Sequence, residues 1–105
     1  MSCGDIVSTY NKCTLVGNKF QKRPPTKDDV NIYLIKETNN EYDKNAIAVY
    51  SLVDIHGEKD FCKLGYVAKK NIESIETIIK TIKIYKIIRS KDKNSDGLYY
   101  YYLLY

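Results

Sequence analysis

Apolar positions along the chain fall into short runs separated by polar turns, and a single stretch carries a helical period. Thr14 to Phe20 opens on an apolar triplet and predicts the first strand, with Gly17 as a place to bend or to let another backbone close. Gln21 to Asp29 holds Arg23-Pro24-Pro25. Two prolines lack backbone donors and push the preceding residue out of the helical region, so this stretch reads as a surface loop. In Val30 to Lys36, Ile32 and Leu34 point one way and Tyr33 and Ile35 the other. Both sets are apolar, which predicts a strand covered on both sides. The cluster from Thr38 to Asn45 consists of residues that bond their own backbone, and it lies between two apolar runs. It reads as a structured turn.

Ala46 to Val53 predicts a buried strand, Asp54 to Asp60 with Gly57 a hairpin loop, and Phe61 to Val67 its antiparallel partner. From Lys69 to Ile82 the residues Ile72, Ile75, Ile78, Ile79 and Ile82 recur at helical spacing, while Glu73, Glu76 and Lys80 face outward. Glu76 precedes Lys80 by one turn, the favourable order for a weak surface pair. Lys83 to Arg89 and Leu98 to Tyr105 are β-prone and flank the polar run Ser90 to Gly97, which predicts a closing hairpin. The expected architecture is all-β with minor α, about six antiparallel strands and one main helix over residues 69–82. A small curved sheet protects its edges best by rolling into a barrel.

At 105 residues the chain is expected to form one domain, with residues 1–12 as an extension and 13–105 as the folded unit. The net charge is +4, but it is uneven: residues 1–62 carry 8 basic and 9 acidic side chains, residues 63–105 carry 9 and 4. The positive field therefore sits in the C-terminal part, where it permits a polyanionic partner. Eleven Tyr and many Lys, Ile and Asn follow A/T-rich codons, so the lysine excess is discounted as a sign of nucleic-acid binding. An A/T-rich source, viral or microbial, is expected. No apolar run is long enough to span a bilayer, and the N-terminus lacks the basic and apolar regions of a secretory signal. An intracellular setting with free thiols at Cys3, Cys13 and Cys62 is expected.

Catalytic signatures are missing: there is no phosphate loop, no nucleophile elbow and no paired His on a helix face. The single His, His56, sits in a loop, and Cys62 at six residues from it makes a poor dyad. The chain is expected to be no enzyme, with no cofactor, metal site or catalytic residue. Glu37, Glu41 and Asp43 are the one close acidic group in which a divalent ion would have to sit if the protein cut DNA.

The segment Lys36-Glu37-Thr38-Asn39-Asn40-Glu41-Tyr42-Asp43-Lys44-Asn45-Ala46-Ile47-Ala48-Val49-Tyr50 holds a polar cluster that mixes an aromatic, an acid and amides between two strands, which is the composition of a ligand-facing turn. Its pattern Asn-Asn-x-Tyr-Asp-x-Asn-Ala-Ile-x-Val resembles the HIRAN domain signature. Leu15-Val16-Gly17-Asn18-Lys19-Phe20 is similar to that family's Val-Gly-x-basic-aromatic opening, and Leu64-Gly65-Tyr66-Val67-Ala68-Lys69-Lys70 to its step into a helix. The resemblance covers about residues 13 to 105.

The resemblance implies an OB-like β-barrel that binds single-stranded DNA and prefers a free 3′ end, in a family often fused to a DNA translocase. No translocase domain is expected here, so fork remodelling is not carried over. By position, Lys19 matches a phosphate-binding basic residue and Phe20 a stacking aromatic. Asn39, Asn40, Tyr42 and Asp43 match the pocket turn, with Tyr42 the second stacking ring and Asp43 the acceptor for the terminal hydroxyl. Lys69 or Lys70 matches a phosphate-binding lysine, Tyr66 stands where some members have His, and Tyr99 or Tyr100 corresponds to an aromatic of the last hairpin. Lys19 replaces an Arg, exchanging a bidentate grip for a point charge. Each residue also has a plain structural account. Phe20 and Tyr42 would plug barrel ends, Asp43 and the Asn residues would satisfy turn amides, and half of Tyr99 to Tyr102 would be core. The competing function is an adaptor that recruits a replication or repair protein through the Tyr-rich final hairpin.

Overall fold

The computed structural model describes residues 12–29, 31–81, 83–84 and 86–105. Six strands form one antiparallel sheet in the order β2-β3-β4-β1-β6-β5, where β1 is Lys12–Val16, β2 Ile32–Lys36, β3 Ile47–Ile55, β4 Glu58–Val67, β5 Lys86–Lys93 and β6 Tyr99–Leu104. One helix, α1, spans Lys69–Ile78. The strand-rich, one-helix architecture agrees with expectation. It is compatible with an OB-like fold, although among the described residues β2 and β5 end the sheet and do not pair with each other to close a barrel. The expected N-terminal extension lies outside the described residues except for Lys12, which belongs to β1. Cys3, Val30 and Ile82 also lie outside them.

The first strand is shorter than its apolar run suggests. Gly17 adopts φ 73°, a left-handed conformation that ends β1 after Val16 and starts a 3-10 turn over Asn18–Phe20. Phe20 is thereby taken off the strand and turned outward. Gly65, in β4, has φ 153°, and a Cβ there would stand 2.6 Å from the Val16 carbonyl oxygen. β1 and β4 can therefore approach closely only because that residue has no side chain. The β3–β4 loop is tighter than expected. His56 and Gly57 both have positive φ, the mark of a two-residue type I′ hairpin, and the Gly57 N–H donates to Asp54 Oδ1 at 3.0 Å. The final hairpin is tighter too. β5 continues to Lys93, and Asn94 closes the turn by accepting from the N–H groups of Asp96 (2.9 Å) and Leu98 (3.0 Å).

The core joins residues of five strands to α1, with Leu15, Ile47, Leu64, Ile75 and Leu103 fully buried within it. Ala46 to Val49 is fully buried, as its uninterrupted apolar run implies, whereas β2 is covered on one side only. Tyr33 and Ile35 are 44% and 47% exposed because β2 ends the sheet and none of the described residues forms a layer over its outer face. Helix α1 buries Ile72 and Ile75 and leaves Ile78 exposed. It stops four residues early where Thr81 bonds the Ile78 carbonyl through both its N–H and its hydroxyl. The helix starts against β1: Ala68 N–H donates to Thr14 O at 2.7 Å, and Asn71 Oδ1 accepts from Thr14 N–H at 2.9 Å. Glu76 does not pair with Lys80. It reaches Lys36 of β2, Nζ to Oε1 2.6 Å, tying the helix to the sheet end.

Cys13 is buried in the core and burial pushes its thiol up to about 12, so it behaves as a small apolar residue. Cys62 is also a free thiol. No helix among the described residues is long and apolar enough to cross a membrane.

Candidate nucleic-acid interface

The segment joining β2 to β3 is a ten-residue turn braced mainly by its own side chains. Its ends meet where Glu37 N–H donates to Ala46 O at 2.8 Å. Inside it, Asn40 Oδ1 accepts from the N–H groups of Tyr42 (2.8 Å) and Asp43 (3.0 Å), which folds the chain back and points Tyr42 away from the body. Asp43 Oδ1 in turn accepts from Asn45 N–H at 2.9 Å. That leaves Asp43 Oδ2 with no hydrogen-bond partner among the described residues.

A long-range network fixes this turn to the sheet. Glu37 accepts at Oε1 from Asn40 Nδ2 (3.1 Å) and from the Tyr66 hydroxyl (3.0 Å), and at Oε2 from Lys63 Nζ (2.8 Å). Lys63 also donates to the Tyr66 hydroxyl at 3.1 Å. Burial alone would raise the Glu37 carboxyl, but the hydrogen bonds from Lys63, Asn40 and Tyr66 outweigh it and hold the group below its ordinary value. The bond to Glu37 pushes the Lys63 ammonium upward against the burial that opposes it. Four side chains, two from the turn and two from β4, thus lock the turn and the Tyr66 ring to the sheet.

Beside this piece lies a cavity of about 650 Å³, within the size range of ligand pockets. Its floor is apolar, from Val16, Ala46, Val67 and Ile72, and its rim carries Phe20, Tyr42, Asp43, Tyr66 and Lys69. Phe20 is 78% and Tyr42 96% exposed, so neither ring plugs the fold. Gly17 belongs to the same wall, and a Cβ there would touch the Tyr66 ring at 3.4 Å.

Of the nine residues singled out from the sequence, six line this cavity: Phe20, Asn40, Tyr42, Asp43, Tyr66 and Lys69. Lys19 lines the adjoining hollow, which shares Val16, Gly17 and Phe20 with the first, and its Nζ sits 5.0 Å from the Phe20 ring centre. Asn39 and Lys70 line neither. Tyr99 and Tyr100 line the hollow beside Lys19 and do not reach the main cavity. Asn40 and the Tyr66 hydroxyl have their polar atoms committed to the protein, so they shape the site, while the Tyr42 hydroxyl, Asp43 Oδ2 and Lys69 Nζ have no hydrogen-bond partner among the described residues. Glu37, Glu41 and Asp43 do not form a metal-holding group among the described residues, since Glu37 is turned to Lys63.

Sequence reasoning missed Lys63, whose sole clue was a cation in the strand facing the turn, and Glu37 as anything but an acid. They are 26 residues apart and only pairing of β3 with β4 brings them together. Gln21 was missed as well, although it directly follows the aromatic at the rim.

A family model for the HIRAN domain matches residues 9–102 of this chain. The crystal structure of the HIRAN domain of human HLTF superposes on it with a TM-score of 0.52 at 18% sequence identity, covering 90% of this chain and 73% of that one. That likeness is one of fold. No curated protein matches the chain significantly.

Proposed function

The chain belongs to the HIRAN family of DNA-binding modules, and from that premise we propose that it binds single-stranded DNA by the terminal nucleotide of a free 3′ end. One observation carries the reading: a single apolar-floored cavity has two solvent-facing rings, one carboxylate and one ammonium at its rim. A base needs a flat apolar face on which to stack, and stacking on an aromatic is worth about 1 to 3 kcal/mol per base whatever the base. Phe20 and Tyr42 offer such faces without having to be displaced from a core. A 3′ terminus differs from the interior of a strand by a hydroxyl where a phosphodiester would continue. Asp43, with one oxygen holding Asn45 and the other free, accepts a hydrogen bond from that hydroxyl and repels a phosphate in the same place. Lys69 at the rim and Lys19 beside Phe20 neutralise the last phosphates, which makes binding salt-sensitive. Asn40, Tyr66, Glu37 and Lys63 hold the geometry.

The module is read as acting without catalysis of its own in DNA replication or repair, inside the cell, nuclear or cytoplasmic, wherever DNA is replicated, alongside a replication or repair protein. The adaptor alternative, resting on the Tyr-rich hairpin, has less support because Tyr100 alone of Tyr99 to Tyr102 is exposed by more than about a third.

The test compares a short oligonucleotide ending in 3′-OH with the same strand ending in 3′-phosphate, using the wild type and Asp43→Ala. The wild type is expected to favour the hydroxyl end, and the variant to lose the preference while keeping its fold. Equal binding of both ends by the wild type, or none at low salt, would overturn the proposal and favour the adaptor.

A further inference from the structure

A second groove, of about 350 Å³, runs from the rim of the cavity across the tip of the final hairpin. Its walls bring Lys19, Lys22 and Arg23 from the loop after β1 against Lys93 and Tyr99 from the hairpin, and no carboxylate lines it. Arg23 is already neutralised: Asp29 accepts from it through both oxygens and, despite its burial, is held below the ordinary carboxylate range by that contact and by Thr26 N–H. Lys19, Lys22 and Lys93 have no acidic partner among the described residues. Three ammonium groups therefore line one groove without an ion pair among the described residues, and Asp96 lies in the adjoining hollow with Lys19. The Tyr99 ring meets Lys93 and one further cation, with Lys93 Nζ 5.3 Å and the Arg89 guanidinium 4.3 Å from its centre.

The groove is continuous with the cavity. Lys19 and Tyr99 line both it and the hollow that adjoins the cavity at Phe20, and Gln21 lines groove and cavity alike. A different groove, of about 560 Å³ beside Phe61, also meets the cavity at Gln21. Its electrostatics are unlike. Asp60 lines it, and two of its three cations, Arg23 and Lys63, already pair with Asp29 and Glu37. A polyanion leaving the cavity is drawn to the groove that has uncompensated charge.

We infer that the Lys22–Lys93 groove is a binding track for the internal phosphates of single-stranded nucleic acid, on which the strand lies 5′ of its end. Only the direction of the strand rests on the end-binding reading. The contact to internal phosphates stands apart from it, and a strand without ends reads it separately. The probe is a circular single-stranded DNA of about 30 nucleotides, titrated at several salt concentrations against wild type and the Lys22→Gln/Lys93→Gln variant. Both lysine side chains are exposed and make no hydrogen bond among the described residues, and the backbone pairing of Lys93 with Tyr99 does not depend on its side chain, so the fold is retained. The wild type binds the circle. Removal of two phosphate contacts lowers the magnitude of the slope of log K against log salt by about 1.4, which weakens binding about 25-fold near 0.1 M salt. Failure of the wild type to bind the circle, or an unchanged slope in the variant, overturns the track. The end-binding reading fails by a different result, equal affinity for 3′-OH and 3′-phosphate in a linear trinucleotide too short to fill the groove.

Discussion

The turns at residues 37–46 and 94–98 use the same local device and differ in what surrounds it. In each, one Asn side chain accepts from two backbone N–H groups: Asn40 from Tyr42 and Asp43, Asn94 from Asp96 and Leu98. The Asn94 side chain makes no other hydrogen bond among the described residues, so it shapes the hairpin tip without tying it to another strand. Asn40 also donates to Glu37, which is bonded to Lys63 and Tyr66 on a neighbouring strand, so its turn is anchored to the sheet and presents Tyr42 and Asp43 to a cavity. An Asx turn by itself is a solution to unsatisfied amides. It becomes a wall of a site when distant residues fix its position.

The comparison is broken most strongly at the glycines. Gly65 underlies the cavity wall, where a Cβ would collide with the Val16 carbonyl, while Gly97 at the hairpin tip has open space around it despite φ 79°. Gly65→Ala is expected to cost on the order of 3 kcal/mol from strain and collision. Gly97→Ala is expected to cost about 1 kcal/mol from its left-handed conformation alone. Urea unfolding of both variants measures the gap, and equal losses would mean that β4 relaxes freely around residue 65.

A smaller contrast lies in the Asn residues themselves. Asn40→Ala removes three hydrogen bonds and is expected to destabilise by about 1 to 2 kcal/mol, with loss of the preference for a 3′-OH end. Asn94→Ala removes two and is expected to cost about 1 kcal/mol with the preference intact. Denaturation and end-discrimination measured together separate the two, and identical binding profiles would show that the first turn does not position the site.

The least effect is expected with pH. Glu37 is held below its ordinary value of 4.5, so its contribution is complete above that value and is lost as pH falls through the lowered one. The amide resonances of Asn40 and Ala46 should shift together over that acid range while those of Asn94 and Leu98, whose turn uses no carboxylate, stay in place. Co-titration of both turns would point to general acid unfolding instead.

Local chemistry made much of this legible. The order of strands and helix, the position of the β2–β3 turn and six of the cavity residues follow from alternation, turn propensity and the motif over residues 36–49. Three features did not. Phe20 was read as strand because the apolar pattern runs through Gly17, whereas its left-handed φ turns the chain. β2 was read as covered because its sequence is apolar on both faces, and no local signal tells an end strand from a central one. The Glu37–Lys63–Tyr66 network joins residues up to 29 apart and exists only through strand pairing.

Among the described residues the sheet has two borders. Along β5, Lys86, Arg89, Lys91 and Lys93 put cations where a neighbouring copy would have to hydrogen-bond, and like charge discourages the union. Along β2 the guard is brevity: five residues, with apolar Tyr33 and Ile35 in the open and Lys36 drawn off to Glu76. Self-association under crowded or partly unfolding conditions would therefore begin on the β2 side, and a charged replacement for Ile35 is the economical way to keep the protein monodisperse.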